Sequence, residues 1–232
     1  MIEIRSLSKA FGVKPVLHSI DLSVAPGEFV ALLGPNGVGK TTLLRIVATL
    51  SRPNSGVVKV DRLSLATHAY AVRKLLGVVS HKPLLYGELT AEENLRFYAR
   101  MYGLGAAEPR ISIVLAQVSL VQQRHDLVRT FSRGMQQRLA IARATLHQPK
   151  VLLFDEPHTG LDNDAAKMLD DILLSVAAAG RTVLMTTHDL VRGLELSDRV
   201  AILHSGKIAY EARSSTLKPT AFADKYYETI RA

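Results

Sequence analysis

Residues near the start of the chain carry the first recognisable chemistry: Gly34-Pro35-Asn36-Gly37-Val38-Gly39-Lys40-Thr41, followed by Thr42. Their spacing is G-x-x-x-x-G-K-[ST], that of a phosphate-binding loop. Glycines let the backbone turn tightly around an anion and aim successive N–H groups at its oxygens. Lys40 has the reach for the β and γ phosphates of a nucleoside triphosphate, and the Thr41 hydroxyl suits its Mg²⁺. A helix starting at the lysine would add its positive end to the same anion. The pattern leaves four positions free, so it carries weight only between a strand and a helix.

A second candidate is Val151-Leu152-Leu153-Phe154-Asp155-Glu156. A strand without polar side chains that ends in two acids needs explaining, because carboxylates are rarely set against a core unpaired. An acidic strand end that only caps the next turn is the plainer account. Beside a phosphate loop the pair has work to do: Asp155 can hold Mg²⁺, and Glu156, one residue on, can reach the attacking water.

The elements that must place these groups alternate between strand and helix. Residues 2–7, 16–24 and 28–33 read as strands, and 41–50 as a helix stopped by Arg52-Pro53-Asn54-Ser55-Gly56. Short strands follow at 57–60 and 76–80. Thr90 and Glu93 make a capping-box pattern opening a helix over 90–101, and helices are expected at 108–118 and 134–146. Strands return at 151–154, 182–186, 200–203 and 207–211, with helices at 164–178 and 221–230. Phe222, Tyr226 and Ile230 in the last helix form a stripe that reads as core or a docking face. The organisation is an α/β body, residues 1–81 and 148–232, interrupted by a mostly helical block at about 82–147.

Composition agrees with one large domain of 232 residues, 47% hydrophobic and 22% charged. It has no cysteine, which excludes a Cys zinc site and fits a reducing compartment. No signal-peptide core opens it and no long apolar run occurs, so a cytoplasmic protein is expected. The net charge of +8 invites a polyanionic partner, but the Lys and Arg residues form no run, and no nucleic acid is expected. His18, His68, His125, His147, His158 and His204 lack metal-ligand spacing, so no metal beyond the nucleotide's Mg²⁺ is expected.

Phe131-Ser132-Arg133-Gly134-Met135-Gln136-Gln137-Arg138-Leu139 settles the class. It resembles the signature segment of ATP-binding cassette (ABC) ATPases, which usually reads Leu-Ser-Gly-Gly-Gln. The resemblance extends to Asp155-Glu156-Pro157, Thr159-Gly160-Leu161-Asp162 and Thr187-His188-Asp189, in that family's order. It covers essentially the whole chain. It implies a P-loop NTPase of the ABC type: a RecA-like mixed sheet core, an antiparallel β subdomain and a helical subdomain. It implies ATP and Mg²⁺ as ligands. Glu156 would be the general base or the carboxylate polarising water, with Lys40 on the phosphates. His188 would donate to the γ-phosphate, and Asp162 would belong to the loop linking two sites. Ser132 and Gly134, with Arg133 and Met135, would close over a second chain's ATP, so the chain should pair with a second cassette. Arg133 stands for the usual glycine and Met135 for the usual glutamine. Phe11 would stack on adenine; packing into the core is its alternative.

The same resemblance implies a subunit of a membrane exporter, peripheral on the inner face of the cell membrane, with a separate permease as partner. Residues 80–98 and 130–139 resemble the haem-exporter subunit of cytochrome c maturation; a drug or polysaccharide exporter cassette is the competitor. A soluble non-transport ABC ATPase acting on ribosomes or DNA is a further class, supported by basic charge alone. A small GTPase is set aside, because the Asn-Lys-x-Asp base-reading motif is absent. His81 falls where the family usually carries a glutamine near Mg²⁺ and the attacking water. A neutral imidazole could replace that amide or ligate the metal; alternatively His81 points away and its loop couples domains.

Overall fold

The chain runs β1 (Ile2–Phe11), β2 (Lys14–Val24), β3 (Phe29–Leu33), α1 (Lys40–Val47), β4 (Ser55–Val60), β5 (Leu63–Ser64), α2 (Leu65–Leu75) and β6 (Leu76–Val79) in the computed structural model, which describes residues 1–231. It continues through α3 (Ala91–Met101), α4 (Ala107–Gln117), α5 (Arg133–Thr145), β7 (Val151–Asp155), α6 (Asn163–Ala178), β8 (Thr182–Thr187), α7 (Leu190–Leu196), β9 (Arg199–His204), β10 (Lys207–Arg213) and α8 (Pro219–Arg231).

β3, β7 and β8 are buried along their whole length, as their unbroken apolar runs require of strands covered on both faces. They form the centre of a six-stranded sheet of order β10-β9-β3-β8-β7-β6, parallel except for the antiparallel β9–β10 hairpin. Alternation along each strand divides the core in two. Val30, Leu32, Val151, Leu153 and Leu184 face one apolar cluster with α1 and a second, antiparallel sheet of order β2-β1-β4-β5. Ala31, Leu33, Leu152, Phe154, Val183 and Met185 face the other, where helices α3 to α8 pack. Truncating a fully buried ring such as Phe154 to alanine costs about 3–5 kcal/mol.

Register then sets the site. Leu33 pairs with Thr187, Asp155 with Thr186, and Val79 with Phe154. The loops leaving β3, β6, β7 and β8 therefore emerge along one edge, the carboxyl end where open α/β sheets bind ligands.

Several expectations are met closely and others are not. Thr90 and Glu93 form the anticipated capping box on α3. The Phe222 and Tyr226 stripe is core, with Ile230 packed against the same cluster. α1 ends at Val47 rather than running to 50. The cause is a left-handed turn at Thr49, whose N–H donates to Ile46 O (2.9 Å) while Leu50 N–H donates to Arg45 O (2.8 Å). That is a Schellman stop, and it was invisible because threonine occupies the position glycine usually marks. Two helices had no expectation. α2 has a single buried residue, Val72, and a non-helical backbone at His68, so it carries little periodic signal. α7 is short, and its signal was Asp189, which accepts from Arg192 N–H at 3.0 Å as an N-cap.

Candidate nucleotide site

The loop between β3 and α1 is shaped by glycines that no other residue could replace in place. A Cβ on Gly34 would collide with the Leu203 carbonyl, and Gly39, at φ +114°, would push one to 2.7 Å from Leu17 Cδ2. Gly34 and Val38 support the loop from behind, Val38 packing on the core. Pro35, Asn36, Gly37, Gly39, Lys40, Thr41 and Thr42 line a cleft of about 370 Å³. Phe11 lines its mouth at the end of β1, 56% exposed, with the Lys9 ammonium 5.0 Å from its ring centroid. Its exposure excludes the core-packing alternative. Lys14 and Val16, not anticipated, line the same cleft.

Lys40 is only 5% exposed, and burial of an ammonium demands partners. Its Nζ donates to Gly34 O (2.6 Å) and Pro35 O (3.2 Å) and lies 3.2 Å from Glu156 Oε1. The last contact is an ion pair without hydrogen-bond alignment, so Oε1 stays a buried acceptor with no donor. Glu156 Oε2 accepts from His188 Nδ1 at 2.7 Å.

Backbone geometry aims this carboxylate. Glu156 sits at φ +50°, in the left-handed region, which costs a non-glycine residue roughly 1–2 kcal/mol. Its N–H is anchored across the sheet on Thr186 O (3.0 Å) and Thr186 Oγ1 (3.2 Å). Strain held by surrounding bonds in this way is a mark of functional positions.

Asp155 lies one residue back and faces the other way. Its Oδ1 accepts from Thr41 Oγ1 (2.9 Å) and from Thr186 Oγ1 (2.7 Å). Thr41 and Asp155 are hard oxygen donors side by side, the set Mg²⁺ takes when phosphates and water fill its other positions. Thr186 escaped the sequence reading; its signal was a pair of threonines closing an apolar strand just before His188.

His81 is exposed in the loop after β6 and lines a neighbouring cleft of about 390 Å³, not the one holding Thr41. Glu156 lines both clefts. The fold thus brings His81 to the Glu156 side, into the cleft next to the one that Thr41 lines.

The signature segment stands apart from the P-loop cleft of its own chain. Ser132 caps α5, accepting from Met135 N–H at 3.2 Å, and Met135 packs on the core. A Cβ on Gly134 would come 3.0 Å from that of Ala165, in the first turn of α6. Arg133 lays its guanidinium against the bare Cα of Gly160. Asp162 caps α6 through a bond from Ala165 N–H at 2.8 Å.

His158 turns out to be an anchor. Its Nε2 meets Asp170 Oδ1 at 2.7 Å, and Arg192 joins Asp170 (3.3 Å) to Asp189 (2.8 Å). The segments after Glu156 and after His188 are tied together through α6. Among the described residues, no group of three or more His, Cys, Asp or Glu side chains gathers as a separate metal centre. No described helix is long and apolar enough to cross a membrane.

The chain is similar to known proteins along most of its length. The sequence profile of the family described as "ABC transporter" matches residues 17–159. The chain is 35% identical over 232 residues to the daunorubicin resistance ATP-binding protein DrrA3 of Streptomyces coeruleorubidus, covering 99% of this chain and 73% of that protein. It is 35% identical over 218 residues to the Nod factor export ATP-binding protein I of Paraburkholderia xenovorans (strain LB400), covering 93% and 72%. Among solved structures, it superposes on the ATP-binding cassette MJ0796 in a dimeric post-hydrolysis state bound to ADP and Pi, with a TM-score of 0.84 and 27% identity. That likeness covers 92% of this chain and 99% of the other.

Proposed function

The chain belongs to the ABC transporter family, and from that premise we propose that it is the ATP-hydrolysing subunit of an exporter of drug-like small molecules. It is an ATP-binding subunit of the exporter kind, and its fold is that of an ABC ATPase. The observation that carries the hydrolytic reading is the Glu156 carboxylate, held 2.7 Å from His188 and 3.2 Å from Lys40 at the edge of the P-loop cleft.

Lys40 gives its charge to the β and γ phosphates, and the loop N–H groups hold their oxygens. Thr41 and Asp155 would hold Mg²⁺, which would supply positive charge against the phosphates. Glu156 orients the attacking water and takes its proton as the oxygen–phosphorus bond forms and the bond from the γ phosphorus to the ADP oxygen breaks, releasing ADP. His188 faces the transferred phosphoryl group with the ring nitrogen that Glu156 does not use. Phe11 offers its open face to adenine, as aromatic rings do to flat π systems.

Two copies are proposed to meet so that Ser132 and Gly134 of each close over the other's nucleotide. The dimeric cassette of similar fold supports that arrangement. Residues 82–147 act as the helical subdomain, and a permease receives the chain on the inner face of the membrane.

Daunorubicin resistance and Nod factor export in the names of the relatives favour a drug-like cargo over haem. The haem-exporter resemblance of residues 80–98 and 130–139 gains no support from either relative. The test reconstitutes the chain with its permease in vesicles and measures ATP-dependent uptake of daunorubicin and haem. Uptake of daunorubicin is expected; uptake of haem alone would sink the proposal.

A further inference from the structure

The cleft on the far side of Glu156 is rich in cations and carboxamides. Of about 390 Å³, it is lined by His81, Lys82, Arg133, Gln136 and Gln137, with Glu156 as its only acid. Among the described residues, neither Lys82 nor Arg133 forms an ion pair. Glu156 does not neutralise the group, since its oxygens face Lys40 and His188.

Arg133 is placed, not merely nearby. Its guanidinium lies where any Cβ on residue 160 would stand, and Gly160 holds φ +75°, so the loop after Glu156 is bare there. A planar guanidinium presents a fork of donors suited to tetrahedral oxyanions, and Lys82 adds a point charge. The two carboxamides supply neutral donors.

Glu156 is the wall between this cleft and the P-loop cleft. Once water has attacked, the bond from the γ phosphorus to the ADP oxygen is broken and inorganic phosphate stands beside that carboxylate. Once Glu156 has passed the proton on, like charge repels phosphate from it, and two cations without an ion pair, Lys82 and Arg133, line the cleft on its other side.

We propose that this cleft is a binding site for product inorganic phosphate, with Arg133 and Lys82 as its principal ligands, through which phosphate leaves the nucleotide site. The inference rests on the hydrolytic role of Glu156 and assigns to the same chain a use for Arg133 that its place in the signature does not supply.

The test is product inhibition of the ATPase by inorganic phosphate, with inhibition by ADP measured in parallel. Arg133→Gly is expected to raise the phosphate inhibition constant roughly tenfold and Lys82→Ala severalfold, as loss of a charged hydrogen bond implies. Arg133→Lys should fall between Arg133→Gly and wild type, and the ADP constant should not move. An effect at Arg133 with none at Lys82 overturns the proposal, because it places the phosphate at the partner-facing signature instead. No effect at either overturns it too. Phosphorus-31 line broadening of phosphate with the ADP-loaded chain reads the site without turnover. A chain that binds phosphate through Arg133 and Lys82 yet hydrolyses nothing would refute the role of Glu156 and leave the site standing.

Discussion

His188 Nδ1 lies 2.7 Å from Glu156 Oε2, where an ionised Glu156 accepts its N–H and leaves Nε2 as the ring nitrogen it does not engage. Turning Nδ1 to a γ-phosphate would require the ring to release Glu156. Phosphate sensing by His188 is therefore coupled to the freedom of the catalytic carboxylate. His188→Ala is expected to lower turnover by about ten- to a hundredfold, with nucleotide affinity nearly unchanged. Steady-state kinetics beside equilibrium ATP binding separates the two; an equal loss in both would remove the coupling.

Glu156→Gln keeps the shape of the side chain and removes the base. Turnover should fall by at least about a hundredfold while ATP still binds, since general bases contribute about 10²–10⁴. Hydrolysis at the wild-type rate would falsify the assignment.

Thr186→Val takes away a hydroxyl that donates to Asp155 and also meets the Glu156 N–H. Metal support of this kind is worth about ten- to a hundredfold in metal affinity. The Mg²⁺ concentration for half-maximal ATPase activity should rise accordingly, and an unchanged Mg²⁺ titration would show that Thr186 does not orient Asp155.

Gly39→Ala must place a Cβ 2.7 Å from Leu17 at φ +114°. The backbone term alone is roughly 1–2 kcal/mol. A lower unfolding temperature and weaker ATP binding are expected together; Gly103→Ala, at φ +71° with open space around it, should lose stability but not nucleotide. Normal ATP binding by the Gly39 variant would show that the loop tolerates a side chain.

Burial holds the imidazoles of His147 and His158 below their ordinary value of 6.5, with Arg110 and Arg192 adding to it and Asp170 opposing it at His158. The unfolded chain takes these protons first, so their contribution to stability is full above pH 6.5 and is lost as pH falls below it. The unfolding temperature should drop on acidification from about pH 7 to 5, and His147→Gln should flatten that slope. Identical slopes for variant and wild type would exclude His147 as a contributor.

What the sequence determined by itself was local chemistry and its order. Gly34 to Thr42 was legible from its fixed spacing and Asp155-Glu156 as two acids closing an apolar strand, whereas Ser132 to Met135 and His188 entered through the family resemblance. Apolar runs likewise marked β3, β7 and β8, since strands buried on both faces admit few polar residues. The tertiary structure decided which of these groups share a wall. Sheet register, not sequence distance, sets Thr186 beside Asp155 and Glu156 across the β7–β8 pair. The same folding sets His81 and Thr41 in adjoining clefts that share Glu156 and turns Arg133 back onto Gly160. α2 stayed hidden because one buried residue leaves almost no period, and the stop of α1 because threonine adopted a conformation that sequence reserves for glycine. Contacts between residues far apart in the chain depend on how strands align and how loops turn at their ends, and no spacing along the chain records that.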